Sequence, residues 1–183
     1  MKRHLFLTGE KGVGKSTILR LLAASWEGPV GGFHTPCRPA GEGKVVEVRS
    51  MDGQRRMEAA RFSSPLHREP CNPAAFEVLA RELIWESCRP GCLTVMDELG
   101  FMEAELPVFP REVLRRLDQP FPVVGALRQE ENPFLAAVRA HPQVEVILVT
   151  RENRDRLPGR LAKRLHPIGE ESAGEVYKEG KLW

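Results

Sequence analysis

His4-Leu5-Phe6-Leu7-Thr8-Gly9-Glu10-Lys11-Gly12-Val13-Gly14-Lys15-Ser16-Thr17 is the stretch that decides the fold. Its first five residues read as a short buried strand, and Thr17 to Ala24 reads as a helix that carries on to about Trp26. Between them lies a glycine-rich turn closed by Lys-Ser. In that setting the glycines let backbone N–H groups curl around phosphate oxygens, and the helix N-terminus adds its partial positive charge. The spacing therefore assigns Gly9, Glu10, Lys11, Gly12, Val13, Gly14, Lys15, Ser16 and Thr17 to a phosphate-binding loop. Lys15 is expected to reach the β- and γ-phosphates, and the Ser16 hydroxyl to sit on Mg²⁺. Lys11 stands where such loops usually have a small or polar residue. A phosphate contact and a solvent-facing side chain are both open to it.

A loop of this kind needs a second strand that brings carboxylate to the metal. Leu93-Thr94-Val95-Met96-Asp97-Glu98 supplies it, as a continuous apolar run of the sort found in central parallel strands. Asp97, at its C-terminal end, is expected to hold Mg²⁺, usually through a water. Glu98, one residue on, is the expected base that orients and deprotonates an attacking water. The alternative is that both acids simply begin a solvated loop. Open α/β sheets bind ligands beyond the carboxyl ends of their strands, where the loop and both acids would converge.

The rest of the chain alternates strands and helices. Val45 to Arg49 and Arg56 to Phe62, joined through Asp52-Gly53, read as a β-hairpin over residues 45–62. Asn72-Pro73 opens a helix whose buried face is Phe76, Leu79, Ala80, Leu83 and Ile84, and Pro90-Gly91 stops it. Arg111 to Leu117 reads as a helix, Phe121 to Leu127 as a strand, and Pro133 to Arg139 as a short helix. Val144 to Thr150 reads as the last strand. Asp155 to Leu165 reads as a helix that Pro158-Gly159 interrupts or delays. Gly28 to Gly32 reads as a break, and 166–183 as a polar C-terminal tail. The expectation is one α/β domain over 1–183, with a mainly parallel central sheet flanked by helices and an inserted hairpin.

Bulk composition narrows the class. With 183 residues, 28% charged and 42% hydrophobic, the chain has the make-up of an ordinary soluble globule. A net charge of +2 gives no support for a nucleic-acid or membrane surface, so neither partner is expected. No apolar run approaches a membrane span, and the short stretch after Met1-Lys2-Arg3 does not make a signal peptide, so a cytoplasmic location is expected. Cys37, Cys71, Cys88 and Cys92 lack the spacing of a zinc framework and are expected as free thiols.

Four runs occur together in order. They are Thr8 to Ser16, Gly32-Phe33-His34-Thr35, Asp97-Glu98-Leu99-Gly100-Phe101-Met102-Glu103 and Val149-Thr150-Arg151-Glu152-Asn153-Arg154-Asp155. Together they resemble the nucleoside-triphosphatase family of thermophilic prokaryotes, whose vertebrate members are the cancer-related nucleoside triphosphatases. The resemblance implies a P-loop NTPase fold and slow, Mg²⁺-dependent hydrolysis of nucleoside triphosphates such as ATP and GTP, with loose base selectivity. It also implies that Asp97 to Gly100 belong to the nucleotide site. Asn153 and Arg154, after the last strand, are placed at the base, with a helix cap and a solvated arginine as the alternative. Three features depart from the family pattern. Pro36-Cys37-Arg38-Pro39 replaces a Glu-Val-Arg element, which weakens a role for Arg38. Lys11 stands inside the loop. Pro107 and Pro110 disturb the helix expected after Glu103.

Phosphoryl transfer gains from a third cation, and Arg128, just past the Val123–Leu127 strand, is the candidate; its alternative is a surface arginine beside Glu130 and Glu131. Without an arginine on the phosphates, turnover should be slow. Two other functions fit the same fold. A small-molecule or nucleoside kinase would need an acceptor pocket and a lid, for which the 45–62 hairpin could serve. A nucleotide-dependent accessory module needs no such pocket, and the Asn-Lys-x-Asp signature of guanine selectivity is missing at Thr150-Arg151-Glu152-Asn153. No obligate protein partner is evident.

Overall fold

The computed structural model describes residues 2–64, 67–68 and 71–165. The 166–183 tail lies outside the described residues. The elements are β1 (His4–Thr8), α1 (Lys15–Ser25), β2 (Val30–His34), β3 (Cys37–Ala40), β4 (Gly43–Ser50), β5 (Arg56–Ser64) and β6 (His67–Arg68). A π-helical stretch (Ala75–Ala80) runs into α2 (Arg81–Glu86), followed by β7 (Leu93–Leu99), α3 (Phe109–Leu117), β8 (Val123–Leu127), α4 (Pro133–Ala140) and β9 (Val144–Leu148). A last helix, α5, occupies 157–165.

Among the described residues the strands join one sheet in the order β6-β5-β4-β2-β7-β8-β1-β9, with β3 paired to the first half of β4. β2, β7, β8, β1 and β9 run parallel. The sheet is therefore mainly parallel where β1 sits, as the alternation of elements implies. The 45–62 hairpin is real and larger than its sequence signal. β4 and β5 pair around the Asp52-Gly53 turn, β3 folds back on β4, and β4 joins the parallel sheet antiparallel to β2.

Alternation along β1 sends Leu5 and Leu7 to one face and Phe6 to the other, and each face has its own core. Leu5, Leu7, Leu93, Val95 and Val124 pack under Ile18, Leu19 and Leu22 of α1 and Leu157, Leu161 and Leu165 of α5. On the opposite face Phe6, Phe33 and Met96 meet Leu83 and Ile84 of α2, Phe109 and Val113 of α3, and Leu135 and Val138 of α4. Both faces of the central strands are thus removed from water, which is why β7 and β8 carry unbroken apolar runs. At the lower end of β1, His4 is fully buried. Its Nε2 donates to Leu117 O at 2.8 Å and its Nδ1 accepts from Val123 N at 3.2 Å, tying α3 to β8. Burial holds this imidazole neutral, with its pKa down to about 3.

Several boundaries differ from the sequence reading. Gly31 and Gly32 are not a break but the middle of β2. A Cβ on Gly32 would lie 2.0 Å from Val95 O, so only glycine lets β2 lie this close to β7. Pro110 does not disturb α3. It occupies the first turn, where no helical N–H is needed, and α3 begins at Phe109 rather than Arg111. Residues 151–156 form turns, and the last helix starts at 157 with Pro158 in its first turn, later than Asp155. β8 begins at Val123 and β9 ends at Leu148. The Asn72 carboxamide accepts from Ala74 N at 3.1 Å, so its capping signal is used, but the next turn and a half winds as a π-helix.

Candidate active site

β1 delivers the chain to the upper edge of the sheet at Thr8, and the loop from Gly9 turns back into α1. Gly14 caps that helix with φ 117°, a conformation open to glycine. The loop closes on itself through Val13 N to Glu10 O at 3.3 Å. Lys15, 8% exposed, folds back over the loop it ends, donating to Gly9 O at 2.9 Å and Glu10 O at 3.2 Å. A cavity of about 520 Å³ opens above it. Gly9, Lys11, Gly12, Gly14 to Thr17, Glu98 and Arg128 to Glu130 line it.

β7 stands two places from β1, with β8 between them, so its C-terminal end faces the start of α1 across β8. There Ser16 Oγ donates to Asp97 Oδ1 at 3.1 Å. Burial pushes the Asp97 carboxyl up to about 6, against the opposing hydrogen bond from Ser16. A hydroxyl that lines this cavity and a carboxylate oxygen beside it are hard-oxygen donors of the kind that suits Mg²⁺. The residues present therefore fit that ion. Glu98 reaches into the cavity: Oε1 lies 3.4 Å from Lys15 Nζ and Oε2 accepts from Arg128 Nε at 3.2 Å. The two side chains diverge, Asp97 toward Ser16 and Glu98 toward Lys15 and Arg128. They do not begin a solvated loop.

The structure adds residues that the motif scan left without a task. Thr35, at the end of β2, clamps the Asp97–Glu98 link. Its N–H donates to Asp97 O at 2.5 Å, its hydroxyl donates to the same oxygen at 3.2 Å, and that hydroxyl accepts from Glu98 N at 3.1 Å. The Gly-Phe-x-Thr run was its sequence signal. Arg128 lines the cavity, pairs with Glu98 and with Glu130 at 3.3 Å, and lays its guanidinium over the Phe101 ring at 5.2 Å. Gly100 makes room for it, because a Cβ there would lie 2.8 Å from Arg128 Cδ. Arg139 of α4 donates to the carbonyls of Arg128 and Glu130 at 2.7 and 3.1 Å, fixing the turn after β8. Nothing in the local sequence marks Arg139.

The remaining expected contacts divide. Glu10, Lys11, Gly12 and Val13 share a smaller cavity of about 180 Å³ with Arg151 and Arg154, so Arg154 is beside the loop. Asn153 lines neither cavity. Its Oδ1 accepts from Thr150 N at 2.9 Å and its Nδ2 donates to Leu148 O at 2.9 Å, so the amide is engaged in the turn after β9. Lys11 is exposed and borders both cavities. Arg38 is far from the loop in its bonding, reaching Glu47 Oε1 at 3.0 Å within the hairpin.

The NTPase family model matches residues 4–162. A nucleoside-triphosphatase, THEP1 of Natranaerobius thermophilus, is 27% identical over 172 residues, covering 88% of this chain and 96% of that protein. The cancer-related nucleoside-triphosphatase homolog of Bos taurus is 34% identical over 178 residues, covering 86% of this chain and 93% of its own. Among solved structures, that of a human cancer-related nucleoside triphosphatase superposes with a TM-score of 0.70 at 28% identity, over 89% of this chain and 97% of that one. THEP1 from Aquifex aeolicus, at 23% identity and a TM-score of 0.72, shares the fold.

Proposed function

The chain belongs to the NTPase family, and from that premise we propose that it hydrolyses nucleoside 5′-triphosphates to the diphosphate and phosphate at the Gly9–Ser16 cavity. The observation that supports this most directly is the meeting of Lys15, Ser16, Asp97 and Glu98 at the cavity. Lys15 Nζ, now on the carbonyls of Gly9 and Glu10, is within a side-chain rotation of phosphates cradled by the loop amides. Ser16 and Asp97 would hold Mg²⁺, which when bound would supply positive charge that offsets the charge of the phosphate groups. Glu98 accepts the proton of the attacking water, and Arg128 supplies the third positive group toward the transferred phosphoryl.

Slow turnover follows from the pairing of the base with that cation. Glu98 and Arg128 hold each other at 3.2 Å, so they must part before one can accept a proton and the other can meet phosphate. Loose base selectivity follows from the far end of the loop. The Asn153 amide is already hydrogen-bonded to backbone, leaving the exposed cations Arg151 and Arg154 to meet the base rather than a fixed donor–acceptor pair. Phosphate release from ATP, GTP, CTP and UTP, with Mg²⁺ and no added acceptor, tests the reading. Comparable release from all four, abolished by a chelator and restored by Mg²⁺, is expected. No release from any of them, or release indifferent to the chelator, refutes it.

A further inference from the structure

A second cavity, of about 390 Å³, lies between the hairpin and the turn that follows β7. It shares Lys11, Glu98 and Arg128 with the phosphate cavity. Attack by water calls for space for one small molecule, about 30 Å³. This cavity instead falls in the size range that encloses small organic ligands. Its walls have the matching chemistry. Val46 of β4, Phe62 of β5 and Met102 give an apolar surface, and the Thr35 hydroxyl borders it. Glu103, 0% exposed, is part of the same wall. Its Oε1 accepts from Gly100 N at 2.5 Å, while Oε2 has no hydrogen-bond partner among the described residues. A buried carboxyl oxygen left without a partner is a standing cost, relieved when a ligand N–H or O–H meets it.

We infer that this cavity is a second substrate site, which takes a ring-bearing alcohol of nucleoside size and presents its hydroxyl to the γ-phosphoryl group. The inference rests on the placement of the triphosphate at the Gly9–Ser16 loop and adds a phosphoryl acceptor to that site. The ring packs on Val46, Phe62 and Met102, and a polar edge meets Glu103. Glu98 stands on the wall common to both cavities, so it serves an acceptor hydroxyl as it serves water. The acceptor oxygen forms a bond to Pγ and its proton passes to the Glu98 carboxylate. The bond from Pγ to the β,γ-bridging oxygen breaks, and its electron pair leaves on the nucleoside diphosphate. The products are the diphosphate and a phosphomonoester of the acceptor.

The test uses γ-labelled ATP, Mg²⁺ and each of the four ribonucleosides at millimolar concentration. Labelled nucleoside monophosphate is expected beside labelled phosphate, and Phe62→Ala or Glu103→Gln should raise the nucleoside concentration for half-maximal transfer about tenfold. Cys37, an exposed free thiol on the same cavity wall, gives a readout independent of catalysis. Its alkylation should slow several-fold with nucleoside present, with Cys71 and Cys88 as internal references. Label that reaches only inorganic phosphate with all four nucleosides, or Cys37 alkylation that none of them slows, overturns the acceptor site while hydrolysis stands. Absence of both transfer and phosphate release overturns the nucleotide assignment beneath it.

Discussion

The Glu98 carboxylate and the Arg128 guanidinium meet at 3.2 Å across the ends of the neighbouring strands β7 and β8. The other Glu98 oxygen lies 3.4 Å from Lys15 Nζ. One acid thus bridges the cation that ends the phosphate loop and the cation that follows β8. Backbone register sets this up, since Arg128 N donates to Leu99 O at 3.0 Å and so fixes where the two side chains start.

Glu98→Gln should keep nucleotide binding and lose hydrolysis by about 10²- to 10⁴-fold, the usual worth of a positioned base. The amide preserves the size of the side chain and the Thr35 contact to the backbone. Steady-state phosphate release beside a fluorescent-nucleotide titration checks it, and hydrolysis at the parent rate would show that Glu98 is not the base.

Lys15→Ala should abolish hydrolysis, with a loss of about 10²-fold or more, and weaken triphosphate binding. The truncation also leaves the carbonyls of Gly9 and Glu10 without their donor. Thermal unfolding should therefore be recorded alongside, so that a folded but inactive variant is distinguished from a collapsed loop.

Arg128→Ala should lower single-turnover hydrolysis by about tenfold or more, the scale of one lost charge-assisted contact in the transition state. Gly100→Ala reaches the same end without touching the charge, because its Cβ would displace Arg128 Cδ. The two variants should lose kcat in parallel with little change in KM. Parent-like kcat in Arg128→Ala assigns the guanidinium to the surface network with Glu130 instead.

Stability should depend on pH through His4. Its folded-state pKa of about 3 lies below the ordinary 6.5, so the unfolded chain binds the proton first as pH falls. The stability it contributes is full above pH 6.5 and is lost on acidification toward pH 3. At pH 5 the loss amounts to about 2 kcal/mol. Urea unfolding of the parent and His4→Gln at pH 7 and pH 5 isolates it: relative to the variant the parent should lose about 2 kcal/mol over that range, and a pH-independent difference would contradict it.

Glu103 should act in the opposite sense. Burial raises its carboxyl to about 7 from 4.5, so the folded state binds more protons between those values and loses stability as pH rises through them. Glu103→Gln should therefore gain on the parent by about 2–3 kcal/mol between pH 5 and pH 8. Urea unfolding of both proteins at the two pH values measures it, and a pH-independent difference would place the titration elsewhere.

Local chemistry made much of this molecule readable from the chain. The loop from Gly9 to Ser16 is specified by glycines and a Lys-Ser pair at fixed spacing, and the β7 acids by the apolar run that carries them to the strand end. The Asp52-Gly53 turn and the buried face from Phe76 to Ile84 are equally local, since each follows from the period of a strand or a helix. What a neighbouring element decides is not visible that way. Gly31 and Gly32 resemble a break until Ser87 packs against the first and Val95 of β7 against the second, leaving room for nothing larger. Pro110 resembles a breaker until the helix starts around it. Arg128 could face Glu130 or the phosphate loop from sequence alone, and Thr35 had a motif but no task. Only the parallel sheet, which sets β7 and β8 side by side and β1 beyond them, brings Lys15, Glu98 and Arg128 to one cavity and sets Thr35 against the Asp97–Glu98 backbone. Contacts between residues so far apart in the chain depend on strand order, and local periodicity carries no record of that order.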